Sequence, residues 1–271
     1  MRGARVLTTL DLPGEGEHVG WIVDGDEEFA RGTERFLAQG AAMGDRLLAF
    51  GPCGHVDPAF TAREDVTFID PASFLDGDGF APDVVCTRVR EQAVVARAEG
   101  YRSLRVIADM DWLSRASGDT AQMREYEQKL DRVAAETGAS IVCAYRSGGF
   151  HDDQIAAVMC VHPQELGRVK LDHGFRIWND GADQWRLSGE VDLSSRPAFA
   201  AALHTATHSR HTVWLDVGGL RFIDVAGLRA IAERAHTVSG LTLTVQGADH
   251  TTRRCWKLAE FDAAAPNVEF V

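Results

Sequence analysis

The sequence predicts an α/β protein with two domains, each built on a sheet whose strands alternate with helices. The chain has 271 residues, and one domain commonly contains roughly 100–200 residues. Up to about residue 165, short apolar runs alternate with segments of helical period, a pattern typical of a parallel sheet covered on both faces. After a polar stretch the alternation restarts with shorter segments, which indicates a second and smaller domain.

The elements of the first domain follow from hydrophobic period and from the glycines or prolines at their ends. A helix is predicted over 27–40, because Phe29, Phe36 and Leu37 share one face and Gly40 follows as a stop. The further helices are predicted at 81–100, 120–138 and 152–163, and the strands at 18–25, 45–51, 65–70, 103–111 and 139–148.

The second domain is predicted from shorter elements. Residues 175–180 and 184–193 alternate apolar and polar side chains, as an antiparallel pair joined near Gly181 does. A helix over 194–209 has Pro197 in its first turn, where a missing N–H is tolerated. The further helices are predicted at 225–240 and 250–262, and the strands at 212–219 and 241–247.

These patterns also predict the limits of the domains. Residues 1–14 are predicted to be disordered, and residues 15–165 to form the first domain. Residues 166–174 are expected to be a linker, and residues 175–271 the second domain.

Composition restricts the class of protein. The net charge of −12 at pH 7 argues against binding to nucleic acid or to an anionic membrane surface. The sequence has no apolar run near the ~20 residues that span a bilayer, and its start lacks the apolar core of a secretory signal. The five cysteines are widely spaced and include no CxxC pair, which predicts reduced thiols in a cytoplasmic protein.

Two stretches of the second domain carry a specific signature. Residues 187–192 read LSGEVD, and residues 213–228 read VWLDVGGLRFIDVAGL. Together they resemble the STAS domain of anti-sigma factor antagonists, with its L-x-G-E-x-D strand end followed by L-D-L-x-x-V-x-F-(I/M)-D-S-S-G-L. The resemblance covers roughly residues 173–271. It implies a partner that is a kinase-type anti-sigma factor or another signalling protein.

In that family, the serine directly after the aspartate is phosphorylated by the partner kinase, and the added charge disrupts docking. Here Val225 and Ala226 replace the two serines, so neither position can accept a phosphate. Asp224 can cap the helix that follows, and Gly227 would let a partner approach closely. The resemblance therefore implies partner contacts by Asp224, Val225, Ala226, Gly227 and Leu228.

Short motifs of the first domain also occur in a known order. They are His18, FL-x-x-G-x-x-x-GD from Phe36, A-x-GY-x-x-LR from Ala98, MDW from Met110, YE-x-x-L from Tyr126, C-x-YR from Cys143 and HP at His162. This order resembles the MEDS domain, the sensory domain of dichloromethane-responsive repressors and related methanogen and actinobacterial regulators. The resemblance implies a RecA-like α/β fold that senses a small organic ligand, with no cofactor expected.

The first domain therefore contains candidate ligand-binding side chains: His18, Asp109, Trp112, Cys143, Tyr145 and His162. Trp112 follows the carboxyl end of a predicted strand, where α/β proteins bind ligands. Purely structural roles stay open for each candidate. Thiolate and imidazole suit zinc, but no local ligand spacing supports a site of His18, Cys143 and His162, so no metal is assigned.

An alternative is a degenerate nucleotide-binding fold. A phosphate-binding loop needs G-x-x-x-x-G-K-[ST] after a strand. Counted from Gly51, Val56 and Asp57 stand where glycine and lysine are required. Asp109, at the end of a predicted strand, has the position of a magnesium-binding aspartate. Because the loop lysine is missing, this alternative predicts nucleotide binding without hydrolysis.

The favoured interpretation is a non-enzymatic cytoplasmic regulator. No G-x-S-x-G or H-E-x-x-H motif supports catalysis. A signal would pass from the first domain to the second as a ligand-dependent rearrangement, because phosphorylation at the usual position is excluded. The sequence leaves open whether a small molecule or a protein is sensed, and whether the chain forms a homodimer.

Overall fold

The computed structural model describes residues 3–11, 13–51, 66–76, 79–116, 119–167, 173–181, 183–208 and 210–271. The chain divides into two compact units, Arg2–Leu171 and Asp172–Val271. Both units are α/β, so the predicted fold class is confirmed. Val56 and Asp57, which were compared with a phosphate-binding loop, lie outside the described residues.

The first unit is built on a seven-stranded parallel sheet with the order β1-β9-β2-β8-β7-β3-β4. The strands β5 and β6 pair antiparallel with each other. In chain order the strands are β1 (Arg5–Leu7), β2 (His18–Val23), β3 (Arg46–Phe50), β4 (Val66–Ile69), β5 (Leu75–Asp76), β6 (Gly79–Phe80), β7 (Leu104–Asp109), β8 (Ser140–Arg146) and β9 (Gln164–Leu166).

Helices cover both faces of this sheet. The helices are α1 (Asp26–Met43), α2 (Pro82–Ala98), α3 (Asp111–Ala116), α4 (Thr120–Thr137) and α5 (Asp152–Met159). One face forms a core with α1, whereas the other packs against α2, α4 and α5. The helix after β2 and the helix after β8 thus lie on opposite faces, although these strands are neighbours. The carboxyl ends of β2 and β8 therefore form the topological switch point of the sheet.

Helix α1 runs through Gly40, where the sequence predicted its end, and stops at Gly44. An added Cβ at Gly40 would lie 2.5 Å from Cδ of Arg105 and 2.7 Å from Cδ2 of Leu47. Gly40 therefore allows α1 to pack closely on the sheet. Gly44 has a left-handed backbone with φ of 77°, which is the usual helix terminator.

The second unit contains a five-stranded sheet with the order β10-β11-β12-β13-β14. The first two strands are antiparallel, and the other neighbouring pairs are parallel. The elements are β10 (Phe175–Asn179), β11 (Gln184–Val191), α6 (Arg196–Thr207), β12 (Thr212–Ile223), α7 (Val225–Thr237), β13 (Thr242–Gln246), α8 (His250–Leu258), α9 (Phe261–Ala264) and β14 (Val268–Phe270).

The disorder predicted for residues 1–14 does not match the structure, because Arg5–Leu7 forms β1 and pairs with β9 at the sheet edge. Leu7 and Leu10 are buried in the core, and Arg5 forms an ion pair with Glu17. Long-range burial thus orders a segment that has no local pattern of its own. Of the predicted linker 166–174, Leu166 belongs to β9, and residues 168–172 lie outside the described ranges.

In the described part of the chain, no helix combines the length and apolar character needed to cross a membrane.

Candidate functional site

A buried polar cluster brings together four of the six predicted ligand-binding side chains of the first unit. His18 begins β2, Cys143 and Tyr145 lie on β8, and His162 follows α5. Glu127 on α4 completes the cluster, and all five side chains are fully buried. Residues distant in sequence thus meet between the sheet and the helices α4 and α5.

Glu127 lies at the centre of this cluster. Its Oε2 is 3.2 Å from Nε2 of His18 and 3.3 Å from Nε2 of His162. The Sγ of Cys143 lies 3.5 Å from Nε2 of His18. The hydroxyl of Tyr145 donates a hydrogen bond to Oε1 of Glu127. Two imidazoles, a thiol and a phenol therefore surround one carboxyl group.

Both imidazoles are oriented through their Nδ1 atoms. Nδ1 of His162 lies 2.8 Å from the carbonyl oxygen of Val158, which can only accept, so this nitrogen carries the proton. Nδ1 of His18 lies 3.5 Å from Oδ1 of Asp131. The Nε2 atoms of both rings are therefore directed toward the cluster. Room for His162 comes from Gly20, where an added Cβ would lie 3.0 Å from the imidazole Cγ.

Burial and mutual charge set the protonation of the cluster. Burial would raise the pKa of Glu127, but His162 and His18 outweigh it and hold that pKa well below its usual range. Burial would lower the pKa of His18, but Asp131 and Glu127 outweigh it and raise that pKa. Burial lowers the pKa of His162 and raises that of Cys143. These opposite shifts favour a proton on His18 and a negative charge on Glu127.

The other two predicted ligand-binding residues lie elsewhere. Trp112, on α3, packs edge-to-face against Phe80 and Tyr126, with ring centroids 5.0 and 6.5 Å apart. Asp109 ends β7 and forms an ion pair with Arg146. The predicted ligand-binding set is therefore divided among three places in the first unit.

The switch point of the sheet is occupied by Arg146, at the end of β8. Its guanidinium pairs with Asp26, with Asp109 at 2.8 Å and with Asp111 at 3.0 Å, and it lies over the ring of Phe29. Burial would lower the pKa of Arg146, but Asp109 and the other carboxylates outweigh it and raise that pKa. One cation thus faces three carboxylates, which makes this edge of the sheet unfavourable for phosphate.

In the second unit, the loop between β12 and α7 is a capped helix start. The carboxylate of Asp224 accepts a hydrogen bond from N–H of Gly227 at 2.8 Å, as expected for an N-cap. Val225 is 45% exposed and Phe222 is 52% exposed. The start of α7 therefore presents two apolar side chains beside a carboxylate.

Gly227 and Leu228 are not part of that exposed surface, in contrast to the predicted partner contacts. Leu228 is buried in the core of the unit. An added Cβ at Gly227 would lie 2.8 Å from side-chain atoms of Ile223 and Val191. Glycine is thus needed because α7 packs closely against the ends of β11 and β12. Asp224, Val225 and Ala226 remain accessible to different degrees.

A groove of about 440 Å³ lies between this loop and the start of α8. Phe222 and Val225 line it on one side, and Asp249 and Thr252 line it on the other. Asp249 caps α8 by accepting a hydrogen bond from N–H of Thr252. The α8 side was not predicted, although an aspartate before a helical pattern is a recognisable signal.

Three functional candidates of the first unit were also not predicted. Glu127 and Asp131 lie on an amphipathic helix, where acidic residues usually face solvent. Arg146 follows the apolar run of β8, where a terminal arginine resembles an exposed strand end. The motifs around Tyr126 and Cys143 included two of these residues, but they indicated no role for them.

Comparison with curated proteins gave no match. Among solved structures, an anti-sigma factor antagonist from Mycobacterium paratuberculosis is similar with 20% identity and a TM-score of 0.31, covering 37% of this chain and 90% of that one. The cytoplasmic domain of EssC is similar with 12% identity and a TM-score of 0.35, covering 59% of this chain and 36% of that one. At such TM-scores neither likeness adds to the assignment.

Comparison with protein families gives two matches in separate parts of the chain. Residues 17–163 match the family described as MEDS, the methanogen/methylotroph, DcmR sensory domain. Residues 177–267 match the family described as Mlab, STAS domain. The first match covers more than half of the 271 residues. The chain therefore belongs to the MEDS family and carries a STAS domain after its sensory domain.

Proposed function

We propose that this protein is a non-enzymatic, cytoplasmic signalling regulator whose MEDS unit receives a signal and whose STAS unit binds an anti-sigma factor or another signalling protein. The STAS domain assigns a STAS-type regulatory role to the second unit. Support for a cytoplasmic location comes from the free thiols of Cys86, Cys143, Cys160 and Cys255, which suit a reducing compartment.

The exposed apolar side chains around the start of α7 are the observation that supports this proposal most strongly. Phe222 and Val225 are large apolar side chains that are about half exposed, and they border the groove toward α8. Exposed apolar groups grouped at one site commonly mark a protein interface. Asp224 is fixed by its N-cap hydrogen bond, so a partner would meet a preorganised surface.

The proposed regulator acts without phosphorylation at this loop. Val225 is the first residue of α7, and Ala226 follows it. Neither side chain has a hydroxyl group. The signal must then come from a ligand or partner that binds two states of the protein with different affinity, because equal affinity shifts no equilibrium.

We propose that the MEDS unit receives this signal as a small organic ligand or as a protein. His18, Cys143, Tyr145 and His162 have no solvent exposure. A ligand that contacts them would reach them only when α4 or α5 moves away from the sheet. Ligand binding would then stabilise the opened arrangement and so change the conformation of the unit.

The alternative of a degenerate nucleotide-binding protein has less support. A nucleotide at the switch point would bring phosphates close to Asp26, Asp109 and Asp111, which already compensate Arg146. The repulsion between phosphate and carboxylates opposes binding there.

Partner binding by matched valine variants tests the proposal. Val225→Asp places a charge in the apolar surface beside Asp224 and is expected to weaken partner binding by ~1–3 kcal/mol. Val94→Asp is the matched control, because Val94 is an exposed helical valine of the first unit. Binding of the full chain to kinase-type anti-sigma factors, measured by calorimetry, should fall for Val225→Asp alone. Equal partner affinity of Val225→Asp and wild type would contradict the proposal that the STAS loop is the docking surface.

A further inference from the structure

The buried cluster of the MEDS unit has the composition of a metal site. His18, Glu127, Cys143 and His162 each offer one ligand atom, and these four atoms all lie within 4.8 Å of one another. Imidazole nitrogen, thiolate sulfur and carboxylate oxygen are the three ligand types that zinc uses in proteins. The sequence alone assigns no metal here, because His18, Cys143 and His162 lack local ligand spacing and Glu127 is not among the candidates.

Three of the six distances between these ligand atoms are close to those of tetrahedral coordination. Ligands bound at zinc distances lie about 3.3–3.6 Å from one another across a tetrahedron. Nε2 of His18 lies 3.2 Å from Oε2 of Glu127 and 3.5 Å from Sγ of Cys143. Nε2 of His162 lies 3.3 Å from the same Oε2. The other three pairs lie within 4.8 Å, so an ion at the centre would draw the four ligand atoms together over about an ångström at most.

Oε2 of Glu127 is fully buried and accepts no hydrogen bond of ordinary geometry from the described residues. Nε2 of His18 and Nε2 of His162 lie 3.2 and 3.3 Å from this oxygen. A buried carboxylate oxygen in this state is costly. A cation placed between the three atoms would be coordinated directly by this oxygen.

The groups around these four residues resemble the outer shell of a metal site. The Nδ1–H of His162 donates to the carbonyl of Val158, and Asp131 faces Nδ1 of His18. Tyr145 donates to the second oxygen of Glu127. Metal-binding histidines commonly make such contacts to a backbone carbonyl or carboxylate through the other ring nitrogen. Both histidines and Glu127 are thereby held with their binding atoms directed inward.

The charge of the ligand set selects the class of ion. The Glu127 carboxylate and a Cys143 thiolate carry two negative charges, and two neutral imidazoles add none. A divalent ion makes this set neutral, which a site without solvent exposure requires. Four protein ligands leave no open coordination position, which is the arrangement of a structural rather than a catalytic zinc site.

We propose that His18, Glu127, Cys143 and His162 bind one divalent metal ion of the zinc class inside the MEDS unit. The ion would join β2, β8, α4 and the segment after α5 at a single point. This inference goes beyond the proposed function and does not depend on any property of the STAS loop. With the ion bound, a sensed ligand would contact the MEDS unit at other side chains or displace a ligand from the ion.

Metal content of the purified full chain tests the proposal. Wild type, expressed with added zinc, should contain one equivalent of zinc, and Cys143→Ala should lose it. Cys86→Ala is the matched control, because Cys86 is also a buried free cysteine of the same core and should keep the metal. Zinc kept by Cys143→Ala, or lost equally from both variants, would contradict the proposal.

A second measurement uses wild type alone, so its outcome does not depend on the folding of a variant. The chain is unfolded with chelator, then refolded with Co²⁺ in place of zinc. A thiolate-to-cobalt charge-transfer band in the near ultraviolet and a higher Tm than the metal-free protein are expected. The absence of both bound metal and this band in wild type would overturn the proposal. Partner binding by the STAS unit is measured separately, so failure of the metal proposal leaves the proposed function untouched.

Discussion

Val225 and Gly227 are two residues apart at the start of α7, yet their surroundings differ completely. Val225 is exposed toward the groove, whereas Gly227 is enclosed by Ile223 and Val191. A sequence motif identifies both positions but does not separate a residue that meets a partner from one that permits internal packing. The helical period places them on different faces, and the three-dimensional contacts assign their roles.

Gly227→Ala should lower the free energy of unfolding by about 1–3 kcal/mol, because the added methyl group overpacks the contact with Ile223 and Val191. Urea denaturation of the full chain measures this loss. Gly3→Ala serves as the control, since an added Cβ at Gly3 meets no atom within 4 Å. Equal stability of Gly227→Ala and wild type would mean that α7 is not packed as closely as described.

The candidate residues of the first unit could be predicted only in part. His18, Cys143, Tyr145 and His162 stood out because histidine, cysteine and tyrosine are chemically distinctive beside buried strands. Glu127 did not, because a glutamate on an amphipathic helix is normally solvated. Its burial depends on how α4 lies against β2 and β8, which no local pattern specifies.

At the scale of secondary structure, the long elements were predictable and the shortest strands were not. Helices α1, α2 and α4 each contain enough turns to show a clear apolar face. Strands β1, β9 and β14 have three residues each, too few for a period to appear. They exist because a neighbouring strand supplies the pairing.

Arg105 fixes α1 to the sheet and provides a test of this arrangement. Its side chain is buried, lies 3.0 Å from Asp45 and donates to the carbonyl of Phe36 and to Gln39 on α1. Arg105→Met should cost about 3 kcal/mol of stability, since it removes one partner of a buried ion pair.

Arg102→Met is the matched control for that variant. Arg102 pairs with the same Asp45, but it is 37% exposed, so its loss should cost less than about 1 kcal/mol. Thermal unfolding of the two variants should show a clearly lower Tm for Arg105→Met. Similar Tm values would contradict the described attachment of α1.

At the scale of the whole molecule, the charged side chains at the switch point of the first unit oppose nucleotide binding. The parallel sheet has a switch point of the kind that binds ligands in many α/β proteins. Here Arg146 and its carboxylate partners fill that place. The predicted fold class therefore agrees with the parallel sheet that is observed. What the switch point can bind depends instead on these particular side chains.

The full chain should show no ATP or GTP hydrolysis above that of buffer, with or without magnesium. The reason is that Arg146 is held by Asp26, Asp109 and Asp111 rather than free to contact phosphate. Phosphate released from ATP or GTP in the presence of the purified protein measures this activity. Hydrolysis that disappears in Asp109→Ala would show that the switch point is a working nucleotide site.

The most direct test of docking without phosphorylation is the affinity of the full chain for a kinase-type anti-sigma factor, measured before and after incubation with ATP. Wild type should keep its affinity, because Val225 and Ala226 cannot accept phosphate. Val225→Ser should gain one phosphate and then bind more weakly. A loss of wild-type affinity with ATP, accompanied by phosphate on another groove residue such as Thr251 or Thr252, would contradict this prediction.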